Sequence, residues 1–140
     1  MHLSNIPPVA VFVYVVTVAA FAIWAGRWPE RAVGTTVMVV FLSEYPQPLL
    51  ATFPSWLGPA GDVVVLIVCV TCALRSDRYW TIAASAFALL ALVTQVLHHV
   101  LGGGLWAFLS AELVWSIMIV AALLVGALSA ARAAEPASGA

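Results

Sequence analysis

Five long apolar stretches, each closed by charges, prolines or glycines, organise this sequence. The first runs from Ile6 to Ala25 and opens on Pro7-Pro8, which a helix tolerates at its start because the missing N–H has no intrahelical partner there. Gly26-Arg27-Trp28-Pro29-Glu30-Arg31 closes it, with Trp24 and Trp28 suited to a membrane–water interface. The second, Ala32 to Ser43, is short, about 18 Å at helical rise, and stops at Glu44-Tyr45-Pro46-Gln47-Pro48. Residues 46–61 hold Pro46, Pro48, Pro54 and Pro59 with Gly58 and Gly61, yet stay apolar through Leu49, Leu50, Phe53, Trp56 and Leu57. An interfacial or re-entrant connection without continuous helix is expected there. The third stretch, Val63 to Leu74, ends at Arg75-Ser76-Asp77-Arg78-Tyr79-Trp80. The fourth, Thr81 to Leu101, is full length and closes on Gly102-Gly103-Gly104. The fifth, Leu105 to Ala131, exceeds the bilayer requirement by several residues and can tilt or protrude.

The pattern predicts an all-α, polytopic transmembrane helical bundle. It forms one domain over residues 1–131, with spans at about 6–25, 32–45, 60–74, 79–101 and 105–131. The Ala-rich tail, 132–140, is expected to be a disordered cytoplasmic segment. No Lys or Arg precedes the first apolar run, and no small-residue cleavage site follows it before Gly26-Arg27, so this run reads as a retained span and not a cleaved signal.

Composition strengthens this reading. Of 140 residues 64% are hydrophobic and 8% charged, with a mean hydropathy of +1.10, against about 45–50% apolar and about 25% charged in soluble domains. A net charge of −1 excludes an electrostatic case for nucleic acid, and there is no polybasic segment for anionic lipid. The absence of Lys beside abundant Ala, Val, Gly and Arg points to a GC-rich bacterial genome, and hence to the bacterial inner membrane.

Charge placement sets the topology. The arginines are Arg27, Arg31, Arg75, Arg78 and Arg132. With five spans they all fall on one side of the membrane, and the positive-inside rule puts the N-terminus outside and the C-terminus inside. A four-span arrangement divides the arginines between the two faces. Small residues four apart, at Ala22 and Gly26, at Ala84 and Ala88, and at Ala122, Gly126 and Ala130, allow close helix approach in a bundle or a homo-oligomer.

Ionisable groups at membrane depth are the candidates for chemistry. Glu112 lies about 10 Å into the fifth span. A hairpin folded about the triple glycine sets it level with Thr94 and Gln95, and sets His98 and His99 level with Ala107 and Phe108. Glu112, Gln95, His98 and His99 thus form a candidate intramembrane polar cluster. It serves proton transfer, a cation, or a metal or haem ligand, or else it is an interhelical hydrogen bond locking the hairpin. Glu44 and Asp62 flank the Pro-broken connection and, with Glu112, make a candidate acidic outer vestibule; ordinary interfacial carboxylates are the plainer account. Cys69 and Cys72 have C-x-x-C spacing but lack a second pair and a nearby positive charge, so small apolar filler is the simpler role. Arg27, Arg31, Arg75 and Arg78 serve topogenic anchoring or partner docking. No catalytic set, metal site or cofactor is expected.

Through Gly26 to Arg31 and Leu74 to Trp80 the sequence resembles small bacterial inner-membrane proteins that carry a Gly-Arg-x-Pro-Glu-Arg loop and a Leu-Arg-Ser-Asp-Arg-Tyr-Trp loop. The group has no established activity, so the resemblance implies a membrane protein and transfers no site. The functional expectation is a non-enzymatic accessory, scaffold or assembly subunit of a larger inner-membrane complex. Its partners would be the lipid bilayer and other membrane subunits, or further copies of itself. The alternatives are a small homo-oligomeric channel or transporter with an acidic outer vestibule, and a haem- or redox-associated subunit using His98 or His99.

Overall fold

The computed structural model describes residues 8–44, 57–102 and 104–134. They form five α-helices: α1 (Pro8–Ala25), α2 (Trp28–Glu44), α3 (Leu57–Arg75), α4 (Tyr79–Leu101) and α5 (Leu105–Ala134), with no strand among the described residues. Two of them, Tyr79–Leu101 and Ala107–Ala133 within α5, are long and apolar enough to cross a membrane; Ala10–Ala25 is a shorter apolar helix.

Three boundaries differ from the sequence expectation. First, α2 starts at Trp28 and not at Ala32, so most of the expected loop is its first turn. Pro29 suits that turn because it needs no amide partner there, and Glu30, three residues after Arg27, reaches back to accept from the Arg27 backbone N–H at 3.0 Å. Second, α3 starts at Leu57, inside the Pro- and Gly-bearing stretch expected to be non-helical. Pro59 falls in its first turn, where the missing donor removes no hydrogen bond. The rest of that stretch, 46–56, lies outside the described residues. Third, α5 runs to Ala134, past the expected start of the tail at residue 132; residues 135–140 are likewise outside the described residues.

Consecutive helices are neighbours, and α5 packs back on α1 to complete a ring, with a lesser contact across it between α2 and α5. The α1–α2 pair is antiparallel: the joint is only Gly26-Arg27, and Phe12 near one end faces Phe41, with ring centroids 5.9 Å apart. The α4–α5 pair is antiparallel too, held by Trp115 Nε1 donating to Thr94 Oγ1 at 3.0 Å and by His98 stacked on Phe108. One end of the ring therefore gathers the end of α1, the start of α2, the end of α3, the start of α4 and the C-terminal part of α5.

Small side chains fill the seams. Ala19, Ala22, Ala84, Ala88, Ala91, Ala127 and Ala130 are buried, as are Cys69 and Cys72, which are not bridged. The alanine and glycine stripes seen in the sequence thus lie against neighbouring helices of the same chain. Val15, Val33, Val120 and Leu123 complete the core, and many other large apolar residues point outward, among them Val39, Ile67, Leu74, Ile82, Val100 and Val125.

Two glycines are places where no side chain fits. At Gly26 a Cβ would run into the Ala22 carbonyl oxygen and the Glu30 Cβ, so the tight α1–α2 joint depends on its absence. At Gly126 a Cβ would lie 2.6 Å from Trp80 Nε1 and 2.7 Å from its Cδ2, so the indole lies directly on the α5 backbone. Gly126→Val is expected to lower the thermal midpoint in detergent, because overpacking costs about 1–3 kcal/mol. This exceeds the roughly 0.5 kcal/mol gained by removing a mid-helix glycine. In a Trp80→Ala background the same substitution should be far better tolerated.

Candidate functional site

Two polar assemblies stand at opposite ends of the ring. The first is built on Glu30, whose side chain is 0% exposed although it sits in the first turn of α2. Its Oε2 accepts from the Arg27 backbone N–H at 3.0 Å, and its Oε1 accepts from Trp80 Nε1 at 3.1 Å across 50 residues of sequence. Trp80 lies in the first turn of α4, 7% exposed, with Gly126 of α5 against its ring. The carboxylate therefore draws together the α1–α2 joint, the start of α4 and the C-terminal part of α5. Arg31 supports the joint, its Nε donating to the Gly26 carbonyl at 2.9 Å. Next to Trp80, Thr81 is also fully buried and its hydroxyl donates to the Arg78 carbonyl.

Arg27, Arg31, Arg75 and Arg78 all belong to this end. Arg27, Arg31 and Arg75 are exposed and Arg78 is partly buried. In the sequence Glu30 is one charge among these arginines and Trp80 an aromatic beside them. The available signal was local: a Glu three residues after a helix N-cap is a capping arrangement. Nothing in the sequence tied it to an indole 50 residues away.

The second assembly lies toward the other end. Asp62 of α3 accepts a hydrogen bond from the Gln95 amide of α4. Asp62 also borders a cavity of about 60 Å³, whose other walls are Val15, Val37, Val40, Phe41, Val65, Ser116, Ile119 and Val120. Thus one residue of the expected intramembrane cluster, Gln95, meets one of the expected vestibule, Asp62. Beside Gln95, Thr94 donates to the Leu90 carbonyl at 2.8 Å and accepts from Trp115.

The remaining candidates lie on α4, α5 and α2. His98 stacks on Phe108, with ring centroids 4.2 Å apart and planes 14° from parallel, and lines a second cavity of about 250 Å³ with Thr94, Leu97, Leu101, Gly104, Ala107 and Phe108. Its Nδ1 is buried with no hydrogen-bond partner among the described residues. His99, the next residue of α4, is exposed. Glu112 is partly buried on α5, one turn from Trp115. Glu44 ends α2, and its side chain lies outside the described residues.

No protein-family model matches this chain, and no curated protein or solved structure matches it. The resemblance in the two arginine-bearing segments rests on those segments alone.

The Glu30–Trp80 contact gives a direct test. Trp80→Phe keeps an aromatic ring against Gly126 but leaves a buried carboxylate oxygen without its donor, at a cost of about 1–3 kcal/mol. Glu30→Gln retains an oxygen acceptor and should cost less than Glu30→Leu. In a double-mutant cycle read by thermal unfolding, Trp80→Phe added to Glu30→Leu should cost markedly less than Trp80→Phe alone.

Proposed function

We propose that this chain is a five-span integral protein of the bacterial inner membrane, with its N-terminus outside and its C-terminus inside. In this reading it acts without catalysis of its own, as an accessory, scaffold or assembly subunit of a larger membrane complex. The supporting observation is the extent of exposed apolar surface. Only 28% of the apolar core stretch of α4 and 39% of that of α5 is buried. A helix at the centre of a soluble fold would be covered on nearly all sides. Exposed Val63, Ile67, Val70 and Leu74 on α3, and exposed Val93, Val96 and Val100 on α4, present the same kind of surface.

Helix lengths suit the proposed spans. α1, α2 and α3, with 18, 17 and 19 residues, extend about 25–28 Å at 1.5 Å per residue, close to a hydrocarbon thickness of about 30 Å. Trp24, Trp28 and Tyr79 are exposed at the arginine end, where aromatic rings suit the headgroup region. Hydroxyls facing outward need no water: Thr71 and Ser129 each donate to a carbonyl of their own helix at 2.7 Å.

The subunit role follows from what such a surface offers. A bundle that exposes helix faces and short joints recognises other helices, and the polar pairs Glu30–Trp80 and Trp115–Thr94 are spent on holding the bundle together. Purification of the tagged chain from its native membrane in mild detergent should yield stoichiometric membrane partners. A monodisperse species carrying no such partner overturns the reading. A C-terminal green fluorescent protein fusion should fluoresce, whereas an active C-terminal alkaline phosphatase fusion would reverse the orientation.

A further inference from the structure

No stretch of the sequence is polybasic, but the fold gathers at one end what the sequence disperses. Arg27 and Arg31 lie within three residues of Glu30, and Arg78 lies two residues before Trp80. The Glu30–Trp80 hydrogen bond therefore sets the α1–α2 and α3–α4 joints side by side. Arg75 closes α3 at the second joint. Arg132 reaches the same end on α5, less than two turns past Gly126, whose backbone lies against Trp80.

Little within the chain neutralises these charges. Glu30 is wholly enclosed, its oxygens taken by the Arg27 backbone N–H and the Trp80 indole. Asp77 is left as the one exposed carboxylate of this end among the described residues. Arg27, Arg31, Arg75 and Arg132 are exposed. Of the five guanidinium groups only that of Arg31 makes a hydrogen bond among the described residues. It uses Nε alone, on the Gly26 carbonyl, so its two terminal nitrogens remain as donors.

Exposed apolar surface runs straight on from the charges. Leu74, beside Arg75, is 82% exposed, and Val70, Ile67 and Val63 continue from it along one face of α3 at helical spacing. Trp24, Trp28 and Tyr79 are exposed around the same arginines. An acidic segment of another protein would engage the guanidinium groups and leave this stripe bare, whereas a molecule with an anionic head and a long apolar tail meets both. We propose that this end binds an anionic phospholipid, its phosphate held by the arginines of the two joints and an acyl chain lying along Leu74, Val70, Ile67 and Val63. The guanidinium fork matches phosphate oxygens, and each arginine near a membrane surface adds about fivefold to the affinity for anionic lipid. The inference rests on the chain being embedded in a membrane and not on the subunit role. A protein that purifies monodisperse without detergent sinks the membrane reading, and the lipid test is read on the purified chain alone.

Thermal unfolding of the full-length protein in neutral detergent, with phosphatidylglycerol against phosphatidylcholine of the same acyl chains at equal ionic strength, tests this. Phosphatidylglycerol is expected to raise the midpoint in a saturable way, by about 3–6 °C at a tenfold excess over its dissociation constant. Arg27→Gln with Arg75→Gln removes two exposed guanidinium groups. It should require roughly 25-fold more phosphatidylglycerol for half the effect, about fivefold for each charge. Should the double variant fail to fold, Arg75→Gln alone decides, with the fivefold loss. Equal midpoints in the two lipids overturn the proposal, and so does an undiminished lipid effect in these variants. An equal rise with inorganic phosphate in place of lipid also overturns it, as does a rise with an acidic peptide but none with phosphatidylglycerol.

Discussion

The Glu30 carboxylate is wholly enclosed, and a group of that kind persists only when its oxygens are supplied with donors. Here one donor is a backbone N–H at the start of its own helix and the other is an indole 50 residues away. Hydrogen bonds to a charged group contribute about 1.5–3 kcal/mol each, several times the worth of an exposed surface pair. The indole so held lies on the bare backbone at Gly126, so the position of α5 is set through Trp80 by a residue of α2. Three segments that are distant in sequence are thereby fastened at one end of the ring.

Away from that end the bundle relies on contact more than on charge. Buried alanines and the two thiols let helix backbones approach around a core of Val15, Val33, Val120 and Leu123, while many other valines, leucines and isoleucines face outward. In a lipid setting this is the economical arrangement, because outward apolar residues lose nothing by facing acyl chains and close packing is what draws helices together. It also explains why Cys69 and Cys72, for all their suggestive spacing, behave as compact apolar residues: both are buried and neither is bridged.

The helical class, the extent of α4 and the start of α5 were legible because strong punctuation bounds them, Arg75 to Arg78 before α4 and a glycine run after it. The start of α2 was not, because Trp28-Pro29-Glu30-Arg31 carries the composition of an interfacial loop while its Pro and Glu positions are those of a first helical turn. The start of α3 was obscured in the same way by Pro59. Of the polar contacts, the residue types were legible and the pairings were not. Glu30 with Trp80 and Asp62 with Gln95 join residues 50 and 33 positions apart, and no local pattern encodes which distant helix a side chain will meet. The small-residue stripes show the same limit, since spacing marks a face but does not name its partner.

The closing contact of the ring, α5 on α1, joins the first helix to the last. Because the number of helices is odd and neighbours alternate in direction, these two run the same way, and the start of α1 and the end of α5 lie at opposite poles of the bundle. Proximity in the ring is therefore not proximity of these two helix ends. A circularly permuted version could not be made with a short linker, since the new connection would have to travel the full height of the bundle. The same asymmetry suits fusion to two different proteins, one at each pole, with the bundle as a spacer of fixed height between them.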